Sequence, residues 1–244
     1  MQYFPLTLPF YLGLIAIIMV LIALVELNVL AYAYEKMGVQ PRYVFSLLIL
    51  SLLGSYINIP VARLPNQEVV SNQIVSYFGV QYIVPTVKKW PGTIIAVNLG
   101  GAVIPTLLSI YLLRRNRLYL RGLIGVIAVA FFSHMLAHPV RGVGIAMPTF
   151  IPPLLAAIVA ITLSWRHAAP LAYICGSLGT LIGADLLNLD KIQGLGAPIA
   201  SIGGAGTFDG IFLTGILAVL LTGPFAPTDG DYPSRNPQTH TIGE

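Results

Sequence analysis

Two histidines four residues apart, His134 and His138, and two aspartates on separate apolar segments, Asp185 and Asp209, are the residues whose types and spacing could carry chemistry. In a helix, a separation of four sets both imidazoles on one face. Such a pair accepts a divalent metal such as zinc, with carboxylates completing the ligand set, and Asp185 and Asp209 are the acids within reach of it. The run reads His134, Met135, Leu136, Ala137, His138, without the glutamate that follows the first histidine of H-E-x-x-H. A general base must then come from elsewhere, and Asp185 is the candidate. The two carboxylates alone could instead share a proton as an acid/base dyad, or relay protons and cations along a polar path. Plainer roles stand beside these: histidines at a helix end that bond to lipid headgroups, and aspartates that cap helix starts.

The elements that must position these groups follow from composition. The chain has 244 residues, 56% of them hydrophobic and 9% charged, with a mean hydropathy of +0.82. An ordinary soluble domain carries about 25% charged residues, so a soluble globule is excluded and a polytopic membrane protein is expected. Apolar segments run over 8–32, 43–62, 93–113, 118–138, 145–165, 168–187 and 207–223. They predict an all-α membrane protein of about seven transmembrane helices. The first run is too long for a signal peptide and should remain as a span. Between the second and third spans, Glu68 to Ser71 and Ile74 to Val84 alternate apolar and polar residues and predict a β-hairpin turning near Ser71, Asn72 and Gln73; an interfacial amphipathic helix is the alternative. Residues 1–223 should form a single membrane domain, and 224–244, rich in Pro, Gly and polar residues, a disordered tail. Arg114, Arg115, Arg117 and Arg121 form the densest basic cluster and place the connection between the third and fourth spans in the cytoplasm, with the N-terminus outside. A multi-pass protein of the cell inner membrane is implied, with the lipid bilayer as its partner and no basic, aromatic-interleaved patch for nucleic acid. The single cysteine, Cys175, permits no intrachain disulfide.

Counted along these spans, Asn58, Asn98, His134, His138, Asp185 and Asp209 share one depth in the outer half of the bilayer. Ionisable groups there are costly and are functional candidates by default. Arg141 lies beside this layer and either binds headgroups or neutralises an anionic substrate group. The segment 191–207 contains Gly194, Gly196, Gly203, Gly204 and Gly206 and is apolar for a loop, so it could dip back into the membrane. Its last three glycines also allow an anion-cradling turn. No internal repeat is evident by eye.

The combination NLGGAVIP (98–105), HPVRGVGIAMP (138–148), GADLLNL (183–189) and GGAGTFDGIFLTG (203–215) resembles the domain-of-unknown-function family numbered 1614. That resemblance implies residence in a prokaryotic inner membrane. The paired histidines and the later F-D-G are also similar to site-2-type intramembrane metalloproteases, which implies His134, His138 and Asp209 as metal ligands. Aspartates on consecutive helices are similar to presenilin-type aspartyl proteases. The resulting expectation is a metal-dependent intramembrane hydrolase with Asp185 as base. The alternatives are a proton- or cation-coupled transporter or channel using the same polar layer, and an aspartyl-dyad protease.

Overall fold

A computed structural model describes residues 8–65, 67–77, 80–90, 92–140, 144–193, 197–204 and 210–223. The chain is mostly helical. Seven α-helices occur among the described residues: α1 Leu8–Lys36, α2 Pro41–Gly54, α3 Ile104–Asn116, α4 Tyr119–Leu136, α5 Ile151–Leu163, α6 Ala168–Thr180 and α7 Gly210–Thr222. Proline starts α2, α3 and α5 within their first turn, where its fixed φ suits the helix and its missing N–H is not needed. The α3 helix ends on Arg117 in a left-handed conformation, φ 51°.

The α6 helix is the axis of the molecule. Its residues are almost all buried, and α3, α4, α5 and α7 pack around it. A helix apolar on every side is the kind that can be enclosed this way. On one side, Tyr173 and Ile174 meet Tyr34, Met37, Leu112, Ile216 and Val219; on the other, Leu171 and Cys175 meet Leu118, Val129, Ala156 and Ala160. The α4 helix instead leaves Leu120, Leu123, Ile127 and Phe131 exposed, an apolar stripe at helical spacing.

Among the described residues, seven strands accompany the helices. β1 (Asn58–Arg63) pairs antiparallel with β4 (Ile94–Asn98), which pairs in parallel with β7 (Ile199–Ile202). The β1 register slips between Pro60 and Ala62, a bulge at Val61 beside the proline that lacks an N–H to donate. β2 (Gln67–Tyr77) and β3 (Val80–Trp90) form a hairpin, and β5 (His138–Val140) pairs with β6 (Gly144–Ala146).

These strands correct the expected architecture. Among the described residues, two helical stretches, Tyr119–Leu136 and Ala168–Ile192, are long and apolar enough to cross a bilayer. The second apolar segment stops being helical at Gly54 and the third starts as a strand, because their β-branched ends pair with each other across the sheet. Asn58 and Asn98 are therefore cross-strand partners and not helical residues. The fifth helix begins at Ile151, after β6. The hairpin exists, but its turn lies after Tyr77: Ser71, Asn72 and Gln73 are mid-strand, paired with Thr86, Pro85 and Val84. Residues 224–244, Arg141 and Asp209 lie outside the described residues.

A strand–glycine–helix unit occurs twice. β4 is followed by Leu99, then Gly100-Gly101-Ala102 and α3; β7 is followed directly by Gly203-Gly204-Ala205 and, further on, α7. The two strands are parallel, so the chain leaves both at the same edge of the sheet.

Candidate functional site

At that edge, two helical segments widen into π-turns, Leu99–Val103 ahead of α3 and Leu181–Asp185 at the end of α6. A buried asparagine holds each one. Asn98 accepts a hydrogen bond from Gly101 N at 2.8 Å and donates from Nδ2 to Ser55 O at 2.7 Å and Asn58 Oδ1 at 3.1 Å. Asn188, in the 3-10 helix Leu186–Ile192, donates from Nδ2 to the carbonyls of Gly183 and Ala184, both at 2.9 Å, and accepts from Lys191 Nζ at 2.7 Å. Both asparagines are 0% exposed. A buried carbonyl that lacks a partner is costly, so these amides stabilise turns that an uninterrupted helix would not contain.

The π-turn after α6 brings together residues that an α-helix would separate. Five residues along an α-helix rotate a side chain by about 140°, whereas the i→i+5 pattern of a π-turn returns it towards the same side. Thr180 and Asp185, five apart, accordingly line the same cavity. Its volume is about 390 Å³, and it lies among the π-turn, β6, β7, the 3-10 helix and the start of α7. Gly183 makes the turn compatible with its neighbour: a Cβ there would stand 2.2 Å from Ala130 O on α4.

Asp185 Oδ2 accepts a hydrogen bond from Gly203 N at 2.7 Å. Gly203 has φ 90°, a conformation that favours glycine, and a Cβ on it would lie 2.6 Å from Ala102 in the other π-turn. One glycine thus joins the carboxylate of the second π-turn to the backbone of the first. Among the described residues, that N–H is the partner of Asp185, and no basic side chain pairs with it. Thr180 is 1% exposed, and its Oγ1 has no hydrogen-bond partner among the described residues. Ser201 lines the cavity from β7, and its hydroxyl lies 2.5 Å from Asn58 Oδ1 and 2.6 Å from Gly204 O, with one proton to donate to either.

Among the described residues of the expected site, Asp185 is thus the one that lines the cavity. Asn58 and Asn98 stand behind it, linked to the wall through Ser201. His134 remains on α4 with a buried Nδ1 that has no partner, and it is not among the lining residues. His138 corrects the expectation of a shared helical face: α4 ends at Leu136, Ala137 is extended, and His138 is an exposed strand residue. Among the described residues, no three His, Cys, Asp or Glu side chains gather closely enough to hold a metal ion. Arg141 and Asp209 lie outside that description. Thr180, Asn188 and Ser201 are additions from the structure. Asn188 falls within the GADLLNL segment without standing out there, and hydroxyls in apolar segments carry no signal of their own.

No curated protein and no solved structure matches the chain. A family model described as Protein of unknown function (DUF1614) matches residues 52–221, a span that takes in the sheet, both π-turns and the cavity, and the chain belongs to that family.

Proposed function

We propose that the chain is a multi-pass protein of the inner membrane that acts as a carrier for small cations, with the Asp185 carboxylate as the binding group. The observation that carries this reading is a carboxylate, paired with one backbone N–H among the described residues, on the wall of a 390 Å³ cavity where the helix of α6 widens into a π-turn and then tightens into a 3-10 helix. Irregular backbone at membrane depth survives where it lines a cavity, and broken helices with unwound segments recur at the binding sites of transporters. An intramembrane carboxylate is costly in isolation, and a bound cation offsets that cost. The hydrolase reading, with zinc on His134, His138 and Asp209 and with Asp185 as base, draws less support, because His138 is off the helix and neither histidine lines the cavity.

Capacitive currents from proteoliposomes test the proposal. Concentration jumps of sodium, potassium and organic ammonium salts, together with pH jumps, should evoke a current in the wild type that falls at least about tenfold in Asp185→Asn, since the substitution removes the charge that pairs with the cation. Equal currents from wild type and Asp185→Asn would overturn it. So would electrically silent wild-type protein that cleaves a peptide substrate only with zinc bound.

A further inference from the structure

The walls of the Asp185 cavity narrow the class of cation. Ile145, Ile192, Ile199, Ile202 and Ile211 form much of the apolar part of the lining, and Thr149, Thr180, Ser201 and Thr214 stand beside them. Among the described lining residues Asp185 is the sole charged group, with no Lys, Arg or His. Against the described walls, an anionic ligand would meet a carboxylate with no compensating charge. A bare inorganic ion would leave most of the space unfilled: a water molecule's share of liquid volume is about 30 Å³, whereas a 390 Å³ cavity falls within the range of organic-ligand pockets. A hydrated ion would fill the volume, and the Thr and Ser residues could meet part of its shell, but the waters turned to the five isoleucines would find no hydrogen bond.

We infer that the ligand is an organic ammonium ion with an apolar body, its N–H groups donating to the Asp185 carboxylate and to Thr180 Oγ1 while the body packs against the isoleucines. Thr180 supplies the independent observation. The residue is 1% exposed, its buried hydroxyl has no partner among the described residues, and it lines the cavity together with Asp185. Buried polar groups are paired as a rule, and among the described residues whose buried side-chain polar atom is unpaired, Thr180 is the one that lines the cavity, where a ligand group can reach it. A carboxylate and a hydroxyl oxygen both accept, which suits a group that only donates. Ligand binding needs the cavity alone; the inference rests on the carrier reading only for passage of that ligand across the bilayer.

Isothermal titration calorimetry of the full chain in detergent tests it, with phenethylammonium chloride as probe, 2-phenylethanol as its neutral analogue, sodium and potassium chloride as inorganic competitors, and empty micelles as the partition control. Phenethylammonium should bind saturably and at least about tenfold more tightly than the alcohol, because the hydrogen bonds to the carboxylate are charge-assisted. Asp185→Asn retains an acceptor for Gly203 and should abolish the preference for the amine. Thr180→Val, equal in shape, should weaken amine binding severalfold, and Thr180→Ser should restore it, with thermal midpoints unchanged throughout. The inference falls if the alcohol binds as tightly as the amine, if Asp185→Asn keeps the preference, or if sodium evokes an Asp185-dependent current in a protein that does not bind the amine. In that last outcome the carrier reading survives. Saturable amine binding without any transport current would do the reverse, removing the carrier and leaving the ligand assignment in place.

Discussion

Thr180 and Asp185 line one cavity although five residues separate them, and the π-turn Leu181–Asp185 is the reason. An α-helix also brings residues four apart to one face, so deleting one residue would keep the pair together, whereas each residue inserted rotates the downstream segment by about 100° about the helix axis. Insertion of one alanine after Ile182 should therefore leave a folded protein in which Asp185 no longer lines the cavity with Thr180. Helical circular dichroism should be retained while Asp185-dependent ligand binding is lost. Binding at wild-type strength in the insertion variant would mean that the turn does not set the site.

Asn98 and Asn188 hold the two π-turns from opposite ends of the sequence. Replacement of Asn98 by leucine leaves Gly101 N and Ser55 O without their partner, and replacement of Asn188 by leucine does the same to the carbonyls of Gly183 and Ala184. Each unpaired buried group costs about 1–3 kcal/mol. Both variants should lower the thermal midpoint in detergent clearly, and Asn188→Leu should weaken ligand binding more than Asn98→Leu, since its turn carries Asp185. A midpoint within a degree or so of wild type for either variant would show that the carbonyls find other partners.

Close approach makes a separate prediction. Gly183→Ala sets a methyl group against Ala130 O at 2.2 Å, so α4 must move away from the π-turn, a strain of about 1–3 kcal/mol. A Cβ on Gly210, at the start of α7, meets nothing within 4 Å, and alanine there should be neutral or slightly stabilising. Denaturation midpoints of the two variants should differ in that order, and equal midpoints would contradict the close packing of α4 on the turn.

The polar residues were legible in the sequence as exceptions in apolar runs, and Asp185, Asn58 and Asn98 do converge around the sheet and its edge. Their setting was not legible. Ile57–Ala62 and Ile94–Asn98 are short apolar stretches that periodicity alone cannot separate from helix ends. Pro60, which no helix interior welcomes, was the available sign that the second apolar run had left its helix. His138 was misplaced for a related reason, since the helix ends two residues before it and a spacing of four then says nothing about a common face. The glycines of 203–204 read as an anion-cradling turn, and Gly203 does bind a carboxylate, but that carboxylate belongs to the chain's own Asp185. A π-turn has no residue signature, so the pairing of Thr180 with Asp185 could come only from the backbone.

Three turns at one end of the helices predict the orientation of the chain. Arg115 Nη1 donates to Gly38 O, which ties the α3–α4 turn to the turn between α1 and α2. Arg121 Nη1 donates to Ser164 Oγ at 3.1 Å, which ties the start of α4 to the turn between α5 and α6. Lys36, Arg42, Arg114, Arg115, Arg117, Arg121 and Arg166 lie at or beside these turns, so the basic residues of three separate loops gather at one end. Short loops rich in Lys and Arg stay in the cytoplasm. The cavity lies towards the far end of the helical stretch 168–192, about 26 Å of helical rise from its start, and should open in the opposite half of the membrane. In a chain carrying single cysteines with Cys175 replaced by alanine, a thiol at Asn116 or Arg166 should resist a membrane-impermeant maleimide in intact cells and react after lysis, whereas one at Val140 should react from outside. Labelling of Asn116 and Val140 from the same side would show that α4 does not cross, and with it the proposed depth of the site would fall.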